Sequence, residues 1–301
     1  MAIRAAPAEL DRAHAAMAGA VSALQVEICA ALERADGAAR FGTDAWRRPG
    51  GGGGVTRVLQ DGAVFEKAGV NVSDVHGAVG NDLARRLSGE GETFADAGHS
   101  IVVHPRSPLV PTAHANVRFL RRGDAAWYGG GADLTPYYLF DEDCRHFHAV
   151  LRRACERHGQ PYGAHKRAAD EYFFLRHRGE HRGVGGLFFD DLGGDLDATR
   201  AFCEEVARGF LDAYLPIVLR RKDLPYGERE RRWQEVRRGR YVEFNLVWDR
   251  GTVFGLETSG RVESILMSLP PSVRWPYDLR PEPGSPEAAL LDVLRAPRDW
   301  A

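Results

Sequence analysis

Residues 113–138 read AHANVRFLRRGDAAWYGGGADLTPYY, and their alternation decides the fold. Apolar and polar side chains exchange along Ala113 to Phe119, the chain turns at Arg122-Gly123-Asp124, and a second extended segment follows. Side chains two apart on a strand share a face, so His114, Asn116 and Arg118 project together while Val117 and Phe119 point the other way. A turn centred on Gly123 sets Arg118 opposite Tyr128, Asn116 opposite Gly130 and His114 opposite Ala132, with Asp133 just beyond. Gly129, Gly130 and Gly131 then leave a patch of sheet without side chains, bordered by a cation, an amide, an imidazole and a carboxylate. A flat ligand fits such a patch. The same glycines also suit a bulge, with Arg118 paired to a surface acid.

Residues 239–277, GRYVEFNLVWDRGTVFGLETSGRVESILMSLPPSVRWPY, alternate in the same way. Read as a strand, Val242, Phe244, Leu246 and Trp248 form one face and Tyr241, Glu243, Asn245, Val247 and Asp249 the other. Asp249-Arg250-Gly251 reads as a turn, Thr252 to Leu256 as a further strand, and Thr258-Ser259-Gly260 as a second turn that leaves Arg261 at a loop edge.

Around these stretches the pattern is mixed. Leu10, Met17, Val21, Leu24, Ile28 and Leu32 recur at helical spacing, and Gly37 is a stop, giving an N-terminal helix within 1–37. Gly50 to Gly54 lack the Lys-Ser/Thr of a phosphate-cradling loop, and 47–56 reads as a glycine-rich loop, either a lid or a flexible connection. Ser100, Val102 and His104 share one strand face. Asp141 is positioned to cap a helix ending near Gly159, a second helical stretch carries His177, and Gly183–Leu192 reads as a buried strand ending at Asp190 and Asp191. Asp197 is placed to cap a long helix bent or ended at Pro216. The charged run 226–240 reads as a solvated helix, and the tail as a short docking helix.

The 40 basic and 42 acidic residues nearly cancel, which argues against a general affinity for nucleic acid or an anionic membrane, so an anionic ligand must be met by local arginines. With no membrane-spanning run and no signal-peptide design in the sequence, the expectation is a cytoplasmic protein. The four cysteines are scattered without Cys-x-x-Cys, which suits buried thiols and excludes a locally built iron–sulfur site.

Nearly the whole chain resembles the oxygen-dependent coproporphyrinogen III oxidase family, through PGGGGGVTRVLQDGAVFEKAGVNVSDVHG, HPRSPLVPTAHANVRF, WYGGGADLTP, GVGGLFFDDL, AYLPIVLRRK, GRYVEFNLVWDRGTVFGL and ESILMSLPPSVRWPY. The resemblance implies one α+β domain spanning 1–301, a large antiparallel sheet covered by helices on both faces, and a homodimer. It implies conversion of two propionates of coproporphyrinogen III to vinyls, with dioxygen consumed, carbon dioxide and hydrogen peroxide released, and no organic cofactor. On the matching positions, His114, Arg118, Asp133 and Asp249 are expected to be catalytic, with Asp249 aimed at the pyrrole nitrogens and Asp133 acting there or orienting Arg118. Ser100, Asn116, Val117, Arg118, Tyr241, Asn245, Ser259, Gly260 and Arg261 are expected to bind substrate, Arg118 and Arg261 as carboxylate clamps. Arg240 and Arg274 are weaker clamp candidates. Asp249 also suits a turn in which it bonds its own backbone. His104, His114, His148 and His177 occupy the family's histidine positions, so a divalent cation such as Mn2+ stays open, although their spacing forms no local metal signature.

Overall fold

The Leu10–Leu32 stripe forms α1 (Pro7–Asp36), begun by proline at its first turn and stopped by Gly37 in the left-handed conformation. The computed structural model describes residues 2–80, 89–257 and 260–301. At the end of α1 the Asp36 carboxylate accepts from the N–H groups of Ala38, Ala39, Ala63, Val64 and Phe65, which ties the helix to a hairpin of the sheet. Burial pushes the Asp36 carboxyl up, but these donors outweigh it and hold the group below its ordinary value. By length and average composition α1 could cross a membrane, yet its apolar stripe is buried against the sheet.

The strands are β1 (Ile3–Arg4), β2 (Gly42–Arg47), β3 (Gly52–Gln60), β4 (Phe65–Ala78), β5 (Thr93–Pro105), β6 (Thr112–Arg122), β7 (Ala125–Thr135), β8 (Phe174–Leu175), β9 (Glu180–His181) and β10 (Gly185–Leu192). Strands β2 to β7 form one antiparallel meander, and β1 and β10 both pair with β7, while β8 and β9 form a separate ribbon. The helices after β7 are α2 (Asp141–Arg157), α3 (Tyr162–Tyr172), α4 (Leu196–Arg221), α5 (Glu228–Val247), α6 (Arg250–Glu257), α7 (Val262–Leu266) and α8 (Pro286–Arg295).

Alternation along β6 separates the two faces as read from the sequence. Ala113, Ala115, Val117 and Phe119 enter the main core, which α1, α2 and α4 complete. The opposite face meets the chain from α5 to α7: Met267 packs over Gly69, Ser264 Oγ lies 2.6 Å from Thr56 Oγ1, and Gln234 Nε2 donates to Pro105 O at 3.0 Å. The α+β fold with a large antiparallel sheet and helices on both faces is therefore present.

Several local expectations are corrected. The β6–β7 loop holds two residues, Gly123 and Asp124, with Gly123 at φ +58°, so Arg122 pairs with Ala125. The register shifts by one from a single-residue pivot: Arg118 faces Gly129, Asn116 faces Gly131, and His114 faces Asp133. The loop within 47–56 is only the turn 48–51, because Gly52 to Gly54 lie within β3, where the Trp46 ring occupies the place of a Gly54 side chain and donates to Thr56 Oγ1. Residues 239–247 are not a strand but the second half of α5, and Thr252–Leu256 lies in α6. The charged run is solvated only at its start, at Tyr226 to Arg229 and Arg232: Trp233, Gln234, Arg237 and Arg238 are buried, with Arg238 Nη1 2.8 Å from Glu66 and Arg237 Nη1 2.5 Å from Glu180. Asp195, not Asp197, caps α4, which runs through Pro216 to Arg221; Phe140 rather than Asp141 is the N-cap of α2; and His177 follows α3 in the turn between β8 and β9.

Candidate active site

The polar face of the sheet carries three neighbouring rows of residues in register. Asp44, Thr56, Asn71, Ser100, Asn116, Gly131 and Phe188 run across β2 to β7 and β10. On one side of that row lie Gly69, Val102, His114, Asp133 and Gly186; on the other, Gly54, Ser73, Gly98, Arg118 and Gly129. The face thus brings Ser100, Asn116, His114, Arg118 and Asp133 together, but Val117 lies in the opposite core at 1% exposure, so its side chain cannot touch a ligand on this face.

His114 Nδ1 lies 3.0 Å from Asp133 Oδ1, which assigns the proton on Nδ1 to that bond and leaves Nε2 for a ligand. Asp133 is itself held by Arg182, whose Nη2 donates at 2.7 Å while Nη1 donates to Asn245 at 2.8 Å. Burial alone would push the Asp133 carboxyl up; Arg182 and His114 outweigh it and hold the group below its ordinary value. The Arg182 guanidinium sits over the rings of Phe173, Tyr241 and Phe244, with its carbon 4.3, 4.5 and 4.7 Å from the centroids. Asp133 therefore orients His114, and the expectation that it orients Arg118 is corrected.

Arg118 is oriented instead by Asp190, to which Nη2 donates at 3.2 and 3.3 Å. The pair crosses the sheet where Gly129 has no side chain: a Cβ there would stand 2.8 Å from Asp190 Oδ1 and 3.0 Å from Arg118 Nε. The glycine patch is thus part of the arginine's seat rather than bare floor. Arg261 pairs with Asp44 at the far end of the row. Arg240 is taken by Glu243 and Arg274 by Glu235. The Gly260 N–H donates to Gly255 O at 2.8 Å, closing α6, and Ser259 lies outside the described residues.

Asp249 stands where α5 gives way to α6. Its Oδ2 accepts from Thr252 N at 2.7 Å, a helix cap, and its Oδ1 accepts from Tyr172 Oη at 2.9 Å. The self-bonding turn and a carboxylate held by two donors are the same arrangement. Burial and Asp249 push the Tyr172 hydroxyl up, so it stays a donor. The Tyr172 ring stacks on Phe188 at 4.0 Å, and Arg250 lies over both rings and 3.7 Å from Asp190. The Tyr241 hydroxyl is buried beside Asn245 without a well-formed hydrogen bond. Sequence reading missed Arg182, Tyr172, Phe188, Asp190 and Arg250; for Asp190 and Phe188 a signal existed in the strand Gly185–Leu192, whose even positions share the face of Asp133 once β10 pairs with β7.

The four expected metal-ligand histidines do not converge. His104 is buried between Thr112 Oγ1 and Ser268 O, His148 between Tyr162 Oη and Val184 O, and His177 bonds Glu243 on the surface. Among the described residues no three His, Cys, Asp or Glu side chains gather as a metal site, so this set does not fit one shared ion.

Three histidines instead govern acid stability. Burial lowers His99 to about 3 and His148 to about 4, and lowers His104 well below 6.5. A folded-state value below the unfolded one means the unfolded chain binds more protons, so this stability is complete above pH 6.5 and is lost as pH falls towards 4. Each group contributes a slope of about 1.4 kcal/mol per pH unit inside that window. Urea midpoints should fall steeply from pH 6.5 to 4.5 and less steeply in His99→Leu; a flat wild-type profile would contradict the assignment.

The fold and site define an α+β protein that sets an oriented imidazole and an arginine on one sheet face, opposite a donor-held carboxylate and a second arginine carried by the chain of α5 to α7. The family model for coproporphyrinogen III oxidase matches residues 16–300. The chain belongs to that family and is a coproporphyrinogen oxidase of porphyrin biosynthesis.

Proposed function

We propose that this chain is the oxygen-dependent enzyme, which converts two propionates of coproporphyrinogen III to vinyls and yields protoporphyrinogen IX. Each conversion takes one propionate carboxylate, one dioxygen and one proton to one vinyl, one carbon dioxide and one hydrogen peroxide. The observation that carries the reading is the shared face: the Arg118 cation and the Asp-oriented His114 imidazole stand on one face of β6, beside the polar side chains of Asn116 and, on β5, Ser100. Neighbouring strands are about 4.8 Å apart, so the row from β2 to β6 spans roughly 19 Å, the scale of a tetrapyrrole, and Ser264 and Met267 of the α7 chain rest on it at Thr56 and Gly69.

In this reading Arg118 and Arg261 meet propionates, exchanging part of their bonding to Asp190 and Asp44 for the substrate's carboxylates. Ser100, Asn116, Tyr241 and Asn245 supply neutral donors and acceptors. Asp249, oriented by Tyr172 and the Thr252 N–H at the start of α6, accepts a pyrrole N–H and enriches the ring, which passes two electrons to dioxygen without an organic cofactor. His114 Nε2 manages the proton that peroxide formation requires, with its tautomer set by Asp133. A cytoplasmic homodimer is part of the proposal and rests on the resemblance alone.

Arg118→Ala tests the clamp. Loss of a charge-assisted bond of about 1.5–3 kcal/mol predicts a KM for coproporphyrinogen III raised roughly 10- to 100-fold, with a smaller change in kcat. Unchanged KM and kcat would reject it.

A further inference from the structure

Arg118 is flanked by two carboxylates, and the proposed reaction uses neither. Asp190 reaches it from β10 through two hydrogen bonds and also lies 3.7 Å from Arg250. Asp96 approaches from β5: it pairs with Leu120, one step along the same sheet face, which makes it the diagonal neighbour of Arg118. Gly98, the residue paired with Arg118, puts no side chain between them. The hydrogen bond to Asp96 comes from Ser73 Oγ at a long 3.3 Å. Among the described residues, two acids and the two cations Arg118 and Arg250 meet at this corner, with the Asp74–His14 pair nearby. A bound propionate would add a third carboxylate in a partly buried setting, where like charges repel more than in water.

We propose that Asp96 is a positioning residue for the carboxylate held at Arg118, taking up one proton from solvent when that carboxylate binds. The proton goes to a carboxyl oxygen of Asp96 and no other bond changes; the negative charge added by the ligand is offset and a hydroxyl donor appears beside it. Asp190 is not the acceptor, because its carboxylate oxygens are already engaged by Arg118 and face Arg250. Burial already lifts the Asp96 carboxyl to about 6, against the pull of Arg118, the Ser73 hydroxyl and His14 of α1, with Asp74 of β4 adding to the rise. One more anion at Arg118 carries it through neutrality. The proposal rests on the clamp reading of Arg118.

Coproporphyrin III, the unreactive tetracarboxylate porphyrin, serves as the probe, with dissociation constants from fluorescence between pH 6 and 8 and proton uptake from calorimetry in two buffers of different ionisation enthalpy. Wild type should bind more weakly as pH rises, approaching tenfold per unit at full linkage, and take up a proton near pH 7. Asp96→Asn should lose most of that slope and the uptake and bind more tightly than wild type at pH 8, while Asp96→Glu should keep the slope. The same slope and uptake in Asp96→Asn would overturn the proposal while leaving the clamp intact. If Arg118→Ala binds the probe as tightly as wild type, the clamp reading fails instead, and the proposal with it.

Discussion

Asp249→Asn should fold, bind coproporphyrinogen III and lose about two to four orders of magnitude in kcat. Asparagine is as good a helix cap as aspartate, so the bond from Thr252 N and the start of α6 survive. What changes is charge. The carboxylate accepts from both Tyr172 Oη and Thr252 N, and a neutral amide can neither take a pyrrole proton nor offset the positive charge that grows on an oxidising ring. The substrate's carboxylates are held elsewhere, at Arg118 and Arg261, so KM should move little. A kcat within threefold of wild type would remove Asp249 from the chemistry.

Arg182→Met should cost about 3–5 kcal/mol of folding stability, because it leaves Asp133 buried with only His114 as a partner. The guanidinium is 2% exposed, packed over three aromatic rings, and its loss also strands the Asn245 carbonyl. Two readouts separate packing from charge. The double variant Arg182→Met, Asp133→Leu removes both members of the pair and should recover much of the stability measured by urea unfolding. Activity should not return, since His114 then has nothing to fix its tautomer. A single variant as stable as wild type would show that the pair does not hold this corner.

The meander around 113–138 was legible because a half-buried antiparallel strand alternates strictly, and that alternation placed His114, Asn116 and Arg118 on one face. The register was not, since opposite residues depend on whether a loop holds one residue or two. Tyr241 and Asn245 were placed on a common face for the wrong reason: a spacing of four satisfies both the two-residue period of a strand and, closely, the 3.6-residue period of a helix. The middle of α5 misled because arginines such as Arg237 and Arg238 look solvated until Glu180 and Glu66 arrive from distant segments to neutralise them. Arg182 was invisible for the same reason. Its partners Asp133 and Asn245 lie 49 and 63 residues away along the chain. The histidine set was carried by resemblance, and distance in the fold separates what sequence position could not.

The most direct test of the account is a simultaneous record of oxygen consumed, peroxide released and protoporphyrinogen IX formed from coproporphyrinogen III by metal-stripped protein. The account predicts one dioxygen consumed and one peroxide released per vinyl, with no product under anaerobic conditions. Product formed without oxygen, or none until a divalent ion is restored, would contradict it.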